Sequence, residues 1–128
     1  MLYTLLCYNK EEVVWSWSKE EDDVLMARLF KVQDKLTQEG KLGPSLRLLP
    51  TTAATTLRDK LVMDGPFAET KEQLLGFYIL DVPDLEGALD VARRLQEVNP
   101  TSTYEVRPIA MFVPDQREKT LTETVKAY

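Results

Sequence analysis

Histidine is absent from the 128 residues of this chain, and cysteine occurs once. No side chain therefore has an ordinary pKa near neutrality, and any mechanism built on imidazole is excluded by composition alone. With a single thiol, zinc and non-haem iron lose their usual ligands, and no internal disulfide can form. An all-oxygen calcium or magnesium site stays chemically possible, but no EF-hand spacing occurs. The five glycines are dispersed, so no glycine-rich phosphate loop is present and no cofactor is expected. Basic residues are in deficit, 16 against 21 acidic ones for a formal charge of −5, and they are scattered along the chain. Nucleic acid and acidic membrane surfaces are disfavoured as partners. No apolar run approaches the roughly 20 residues that cross a bilayer, and no basic segment leads into a long apolar one. A reducing, cytoplasmic setting is the expectation.

What is present is a globular balance, 44% apolar and 29% charged, in a length that suits one domain with a sizeable core. Leu2 to Tyr8 reads as a strand that is apolar on both alternating faces, hence covered on two sides. Trp15 and Trp17 fall in the loop that follows. Ser18 and Glu21 have capping-box spacing, acids crowd the next turn, and Leu25, Leu29, Val32 and Leu36 mark one face of a helix over Lys19 to Glu39. Ser45 to Leu49 is a short strand candidate. Ala54 to Met63 reads as a hairpin about Asp59-Lys60, although lysine is a poor occupant of a left-handed turn position. Leu74 to Val82 is again apolar on both faces, and Gly76 within it marks either a close backbone approach or a bulge. Asp84 caps a second helix with Leu85, Ala88, Leu89, Ala92 and Leu95 as its buried stripe, ended at Asn99-Pro100. Tyr104 to Phe112 is the last strand, with Pro108 marking an edge or a bulge. Residues 114–128 form a charged tail or a short helix, which leaves 1–113 as the domain.

This order, with helices able to cover only one sheet face, predicts an α+β chain: a ferredoxin-like antiparallel sheet with two helices on one face. The other face is apolar too, and leaving each Leu or Phe there in water forgoes about 1.5–3 kcal/mol. A two-fold homodimer packed through the sheet faces is the expected remedy.

Between the hairpin and the strand at Leu74 lies Asp64-Gly65-Pro66-Phe67-Ala68-Glu69-Thr70-Lys71-Glu72, with four ionisable groups and a turn-forming Gly-Pro pair. This stretch, its continuation Gln73-Leu74-Leu75-Gly76-Phe77-Tyr78, the run Asp81 to Leu89, and the flanking Ala53 to Arg58 and Tyr104 to Ile109 resemble the YCII-related proteins of the type called DGPF-domain proteins. The resemblance implies a dimeric α/β barrel built on the ferredoxin-like arrangement, mostly bacterial, with a largely unassigned role. The wider superfamily includes isomerases and monooxygenases. A His and Asp pair suggested as the active site in other YCII proteins has no counterpart here, and only Asp64 carries over as a candidate acid.

Asp64 has two readings. As a turn residue its carboxylate accepts from backbone amides beside Gly65 and Pro66. As a catalytic acid or base it needs apolar surroundings such as Phe67 and Tyr78 to raise its pKa toward neutrality. Arg58 and Arg107 could grip a carboxylate or phosphate two-pronged, or pair with Glu69 or Glu105. Glu69, Lys71 and Glu72 are candidates for a polar rim, and Tyr78 for a pocket donor or a core ring. Cys7 reads as a small buried hydrophobe. Three functions remain open: a dimeric module binding a small, partly apolar or anionic ligand through Arg58, Gly65, Pro66, Phe67, Glu69, Lys71, Tyr78 and Arg107; an isomerase- or lactone-type enzyme moving a proton through Asp64; and a structural or regulatory interaction protein.

Overall fold

The structure, a computed structural model, describes residues 1–115. The tail expected over 114–128 lies almost wholly outside the described residues. The first strand, β1 (Leu2–Asn9), is followed by a one-turn helix, α1 (Glu11–Val14), and the long α2 (Lys19–Gln38). Then come β2 (Leu42–Arg47), a 3-10 turn over Thr51–Ala53, the hairpin β3 (Thr55–Arg58) and β4 (Leu61–Asp64), β5 (Gln73–Asp81), α3 (Leu85–Val98) and β6 (Thr103–Pro108). A four-stranded sheet has the order β2-β5-β1-β6, and β3 and β4 make a separate two-stranded sheet. Every pairing is antiparallel.

The expected barrel is corrected by this arrangement: neither sheet closes, and the chain has three α-helices among its described residues where two were expected. The sheet ends at β2 and β6 for local reasons. Pro108 lacks the N–H that a further ladder would use, and the register of β2 slips between Leu42 and Ser45, on either side of Pro44. The hairpin is tied to itself, with Thr55 facing Asp64 and Arg58 facing Leu61. Its two-residue turn sets both Asp59 (φ 51°) and Lys60 (φ 67°) in the left-handed region, the conformation such hairpins require.

β1 and β5, the strands read as apolar on both sides, are the central pair. Their inner face carries Tyr3, Leu5, Tyr78 and Leu80, packed against Leu36 of α2 and Ala88, Val91, Ala92 and Leu95 of α3. Helix α2 starts at a complete capping box: the Glu21 amide donates to Ser18 Oγ at 3.1 Å and the Ser18 amide to Glu21 Oε1 at 3.3 Å. Of its predicted apolar face only Leu36 is buried, while Leu29 and Val32 pack at the edge of the core. In α3 the Gly87 amide donates to Asp84 Oδ1 at 2.9 Å. Its buried stripe turns through Val91, which the sequence reading left out, and away from Leu85, which is 52% exposed.

The ends of the two long helices are joined by charge. Arg94 grips Glu39 with both terminal nitrogens, at 3.1 and 2.7 Å, and Lys41 Nζ approaches the same carboxylate at 3.2 Å. Hydrogen bonds from Arg94, then Lys41, draw the Glu39 pKa from 4.5 down to about 2. A carboxylate whose folded pKa is depressed stabilises the fold above its unfolded pKa, and that contribution is lost as pH falls through the folded value. Glu39→Gln is therefore expected to flatten the decline of Tm between pH 4.5 and 2. The effect should be small and shrink further in high salt, because the group is exposed; melting curves across that range check it.

Candidate functional site

Two hollows bear on the candidate residues. The first is a cleft of about 430 Å³ beside the Asp64 loop, lined by Thr51, Thr52, Gly65, Pro66, Ala68, Glu69, Thr70 and Gln73. Gly65 (φ 101°) makes its turn possible. The Gly65 amide donates to the Ala54 carbonyl and Thr56 Oγ1 donates to the Gly65 carbonyl, each at 2.8 Å. Glu11, at the start of α1, accepts from the amide and hydroxyl of Thr51 at 2.6 and 2.7 Å, so α1 pins the 3-10 turn that forms one wall. On the other side Thr70 Oγ1 donates to the Glu72 carbonyl and Gln73 Nε2 to the Thr70 carbonyl.

The candidate residues of this loop are only partly assembled. Gly65, Pro66 and Glu69 line the cleft. Arg58 stacks on Phe67, its Cζ 5.5 Å from the ring centroid, a cation–π contact on an exposed arm. Asp64 is exposed at the end of β4, opposite Thr55, and neither it nor Lys71 lines either hollow. Arg107 is exposed on β6 opposite Thr4, and no ion pair joins Arg58 or Arg107 to a carboxylate among the described residues.

Tyr78 belongs to the second hollow, a cavity of about 360 Å³ between α2 and the inner face of the sheet. Leu25, Met26, Leu29 and Phe30 of α2 form one wall; Cys7, Leu75, Gly76, Tyr78 and Tyr104 form the other. Val14 and Trp17 contribute from the α1 region. Polar groups enter at a few points only. Inside, Gln33 Nε2 donates to Tyr78 Oη at 2.7 Å. At the solvent edge Arg47 meets Asp22, both terminal nitrogens reaching the same oxygen, Oδ1, at 3.4 Å. Trp15 lies against the guanidinium, 5.3 Å from Cζ to the ring centroid.

The interior of this cavity is poorly solvated, and its titratable groups record it. Burial pushes the Cys7 thiol up from 9.0 to about 12. Burial also raises Tyr78 from 10.0 to about 12, with the Gln33 bond opposing it in part, and lifts Tyr104 well above its ordinary value. At neutral pH all three are uncharged, so the cavity offers a thiol and two phenols as neutral donors inside an apolar shell. A buried thiol of this kind is a weak nucleophile. Among the described residues no cluster of His, Cys, Asp and Glu could hold a metal ion, and no helix is long and apolar enough to cross a membrane.

Arg47, Gln33 and Asp22 were not marked by the sequence as site residues. They come from segments far apart in the chain, none has a motif, and only the alternation of β2, which sets Ser45 and Arg47 toward the helices opposite Tyr78 and Gly76, could have placed one of them.

A protein of Rhizobium meliloti (strain 1021), itself described as uncharacterized, is 58% identical to the chain, over 91% of this chain and 98% of the relative. The family model of the YCII-related domain matches residues 1–113, a span that takes in the sheet, the helices and the loop at Asp64, and the chain belongs to the YCII-related domain family.

Proposed function

We propose that the chain is a small-molecule binding module whose ligand enters the cavity between α2 and the sheet. The observation that carries this is the lining: a mostly apolar hollow of about 360 Å³ with a few polar points, among them Gln33 with Tyr78 and Tyr104 with Ser102, and one charged pair, Arg47 and Asp22, at its edge. Binding pockets have this composition, mostly apolar with a few placed polar groups, and this volume lies at the small end of their range. An uncharged fluorophore, N-phenyl-1-naphthylamine, should bind saturably at one per chain, quench Trp17 and slow alkylation of Cys7. Met26→Trp, which fills the cavity from α2, should abolish all three effects. Binding that does not saturate, or that survives Met26→Trp unchanged, would refute the reading.

The module acts as a pair of chains meeting through the outer sheet face. That face presents the half-buried Leu6, Phe77 and Ile79, beside Leu46 at 44% and Leu48 at 42% exposure on the sheet's edge. A second copy laid on this row would remove apolar area that one chain leaves wet. Phe77→Glu is expected to convert a two-chain species to a single chain in sedimentation at micromolar concentration. A parent that already sediments as one chain would overturn it.

A further inference from the structure

We propose that the ligand of the α2 cavity is an amphipathic monoanion, its carboxylate head held by Arg47 and its apolar body lying along α2. This rests on the reading of the cavity as a small-molecule site and goes further by naming the head group.

Among the described residues, Arg47 is the one cation in the cavity lining and Asp22 the one carboxylate. Their contact is a poor use of a guanidinium. Both terminal nitrogens converge on a single oxygen at 3.4 Å, the far limit of a hydrogen bond, whereas a matched carboxylate takes both prongs in parallel at about 2.7–2.9 Å. The same molecule shows the matched form in Arg94 and Glu39, where each nitrogen has its own oxygen at 3.1 and 2.7 Å. Asp22 holds the place of a better acceptor without filling it. Trp15 braces the guanidinium from the side, so Arg47 stays at the edge when Asp22 turns to solvent, which its position in the first turn of α2 and its 31% side-chain exposure allow. A cationic ligand drawn to Asp22 would instead have to approach the Arg47 charge. On β2, Ser45 stands opposite Tyr78 and Arg47 opposite Gly76, so the head site and the Tyr78 level are two residues apart, about 7 Å along the sheet. A medium-length apolar body spans that interval.

The test compares decanoate, 1-decanol and decyltrimethylammonium, three probes with one chain and three heads, by calorimetric titration at pH 7.5. Decanoate is expected to bind the parent roughly tenfold or more tighter than decanol. Arg47→Gln should bring decanoate down to the level of decanol, Arg47→Lys should keep part of the preference, and Asp22→Asn should raise decanoate affinity by removing the competitor. Unchanged melting temperatures and unchanged decanol binding establish that the variants are folded. Equal binding of decanoate and decanol by the parent, a preference that survives Arg47→Gln, or tighter binding of the cation each overturns the head-group assignment while leaving the cavity reading intact. Failure of all three probes together with the uncharged fluorophore removes both.

Discussion

Gly76→Ala is expected to destabilise the chain by about 3 kcal/mol or more, read as a lower denaturant midpoint. The ground is steric. A Cβ at Gly76 would lie 2.1 Å from the Leu46 carbonyl oxygen and 3.2 Å from the Arg47 Cα, both backbone atoms of β2. A backbone cannot swing aside as a side-chain tip can, so β2 must lift from β5 and surrender ladder hydrogen bonds. Gly43→Ala provides the comparison: its Cβ would stand 3.3 Å from the Ile79 carbonyl, a contact that a shift of a few tenths of an ångström relieves. The smaller cost belongs there. Lifting β2 would also move Arg47 from the cavity edge, so amides of β2 should exchange faster in Gly76→Ala and decanoate should bind more weakly. An alanine variant with the parent's midpoint would show that β2 has room the structure denies it.

Leu36→Ala is expected to cost about 2–5 kcal/mol. Leu36 is fully buried and is the one buried residue of the 20-residue α2, so it ties that helix to Leu5, Leu80 and the α3 stripe. Truncation leaves a void where α2, β1 and α3 meet, and the other contacts of α2 are too shallow to collapse into it. Val24→Ala, on the same helix at 62% exposure, should stay within about 0.5 kcal/mol of the parent. Because α2 is a wall of the cavity, Leu36→Ala should also weaken fluorophore binding at temperatures well below its own unfolding. Chemical denaturation and fluorophore titration of the same samples separate the two effects.

These two positions show what could be read from the sequence and what could not. Gly76 stood out within an apolar strand, and both of its readings hold: the backbone of β2 crowds it, and a register shift lies next to it between Cys7 and Tyr8. Leu36 followed from helical spacing, and the two N-caps from residue type, since these are contacts within a few residues of chain. The one-turn α1 was missed because its anchors are distant: Glu11 is held by Thr51 and Gln73, partners that no local pattern reveals. The barrel expectation failed differently, since it came from a resemblance, and strand composition does not say where a sheet stops. The site divides the same way. The Asp64 loop was visible as a turn with charges, yet Tyr78, counted among its ligand contacts, turned out to face Gln33 across a separate cavity.

The position of β1 bears on how the chain is made. It emerges before the strands it pairs with, yet it is an inner strand of its sheet, flanked by β5 and β6 from the second half of the chain. Thr4 already spans 74 residues to bond the Tyr78 carbonyl. The nascent segment must therefore wait, unpaired and greasy, until both late strands have left the ribosome. Closing so long a loop is slow, and throughout that interval Leu2 to Tyr8 is the stretch a holdase would recognise.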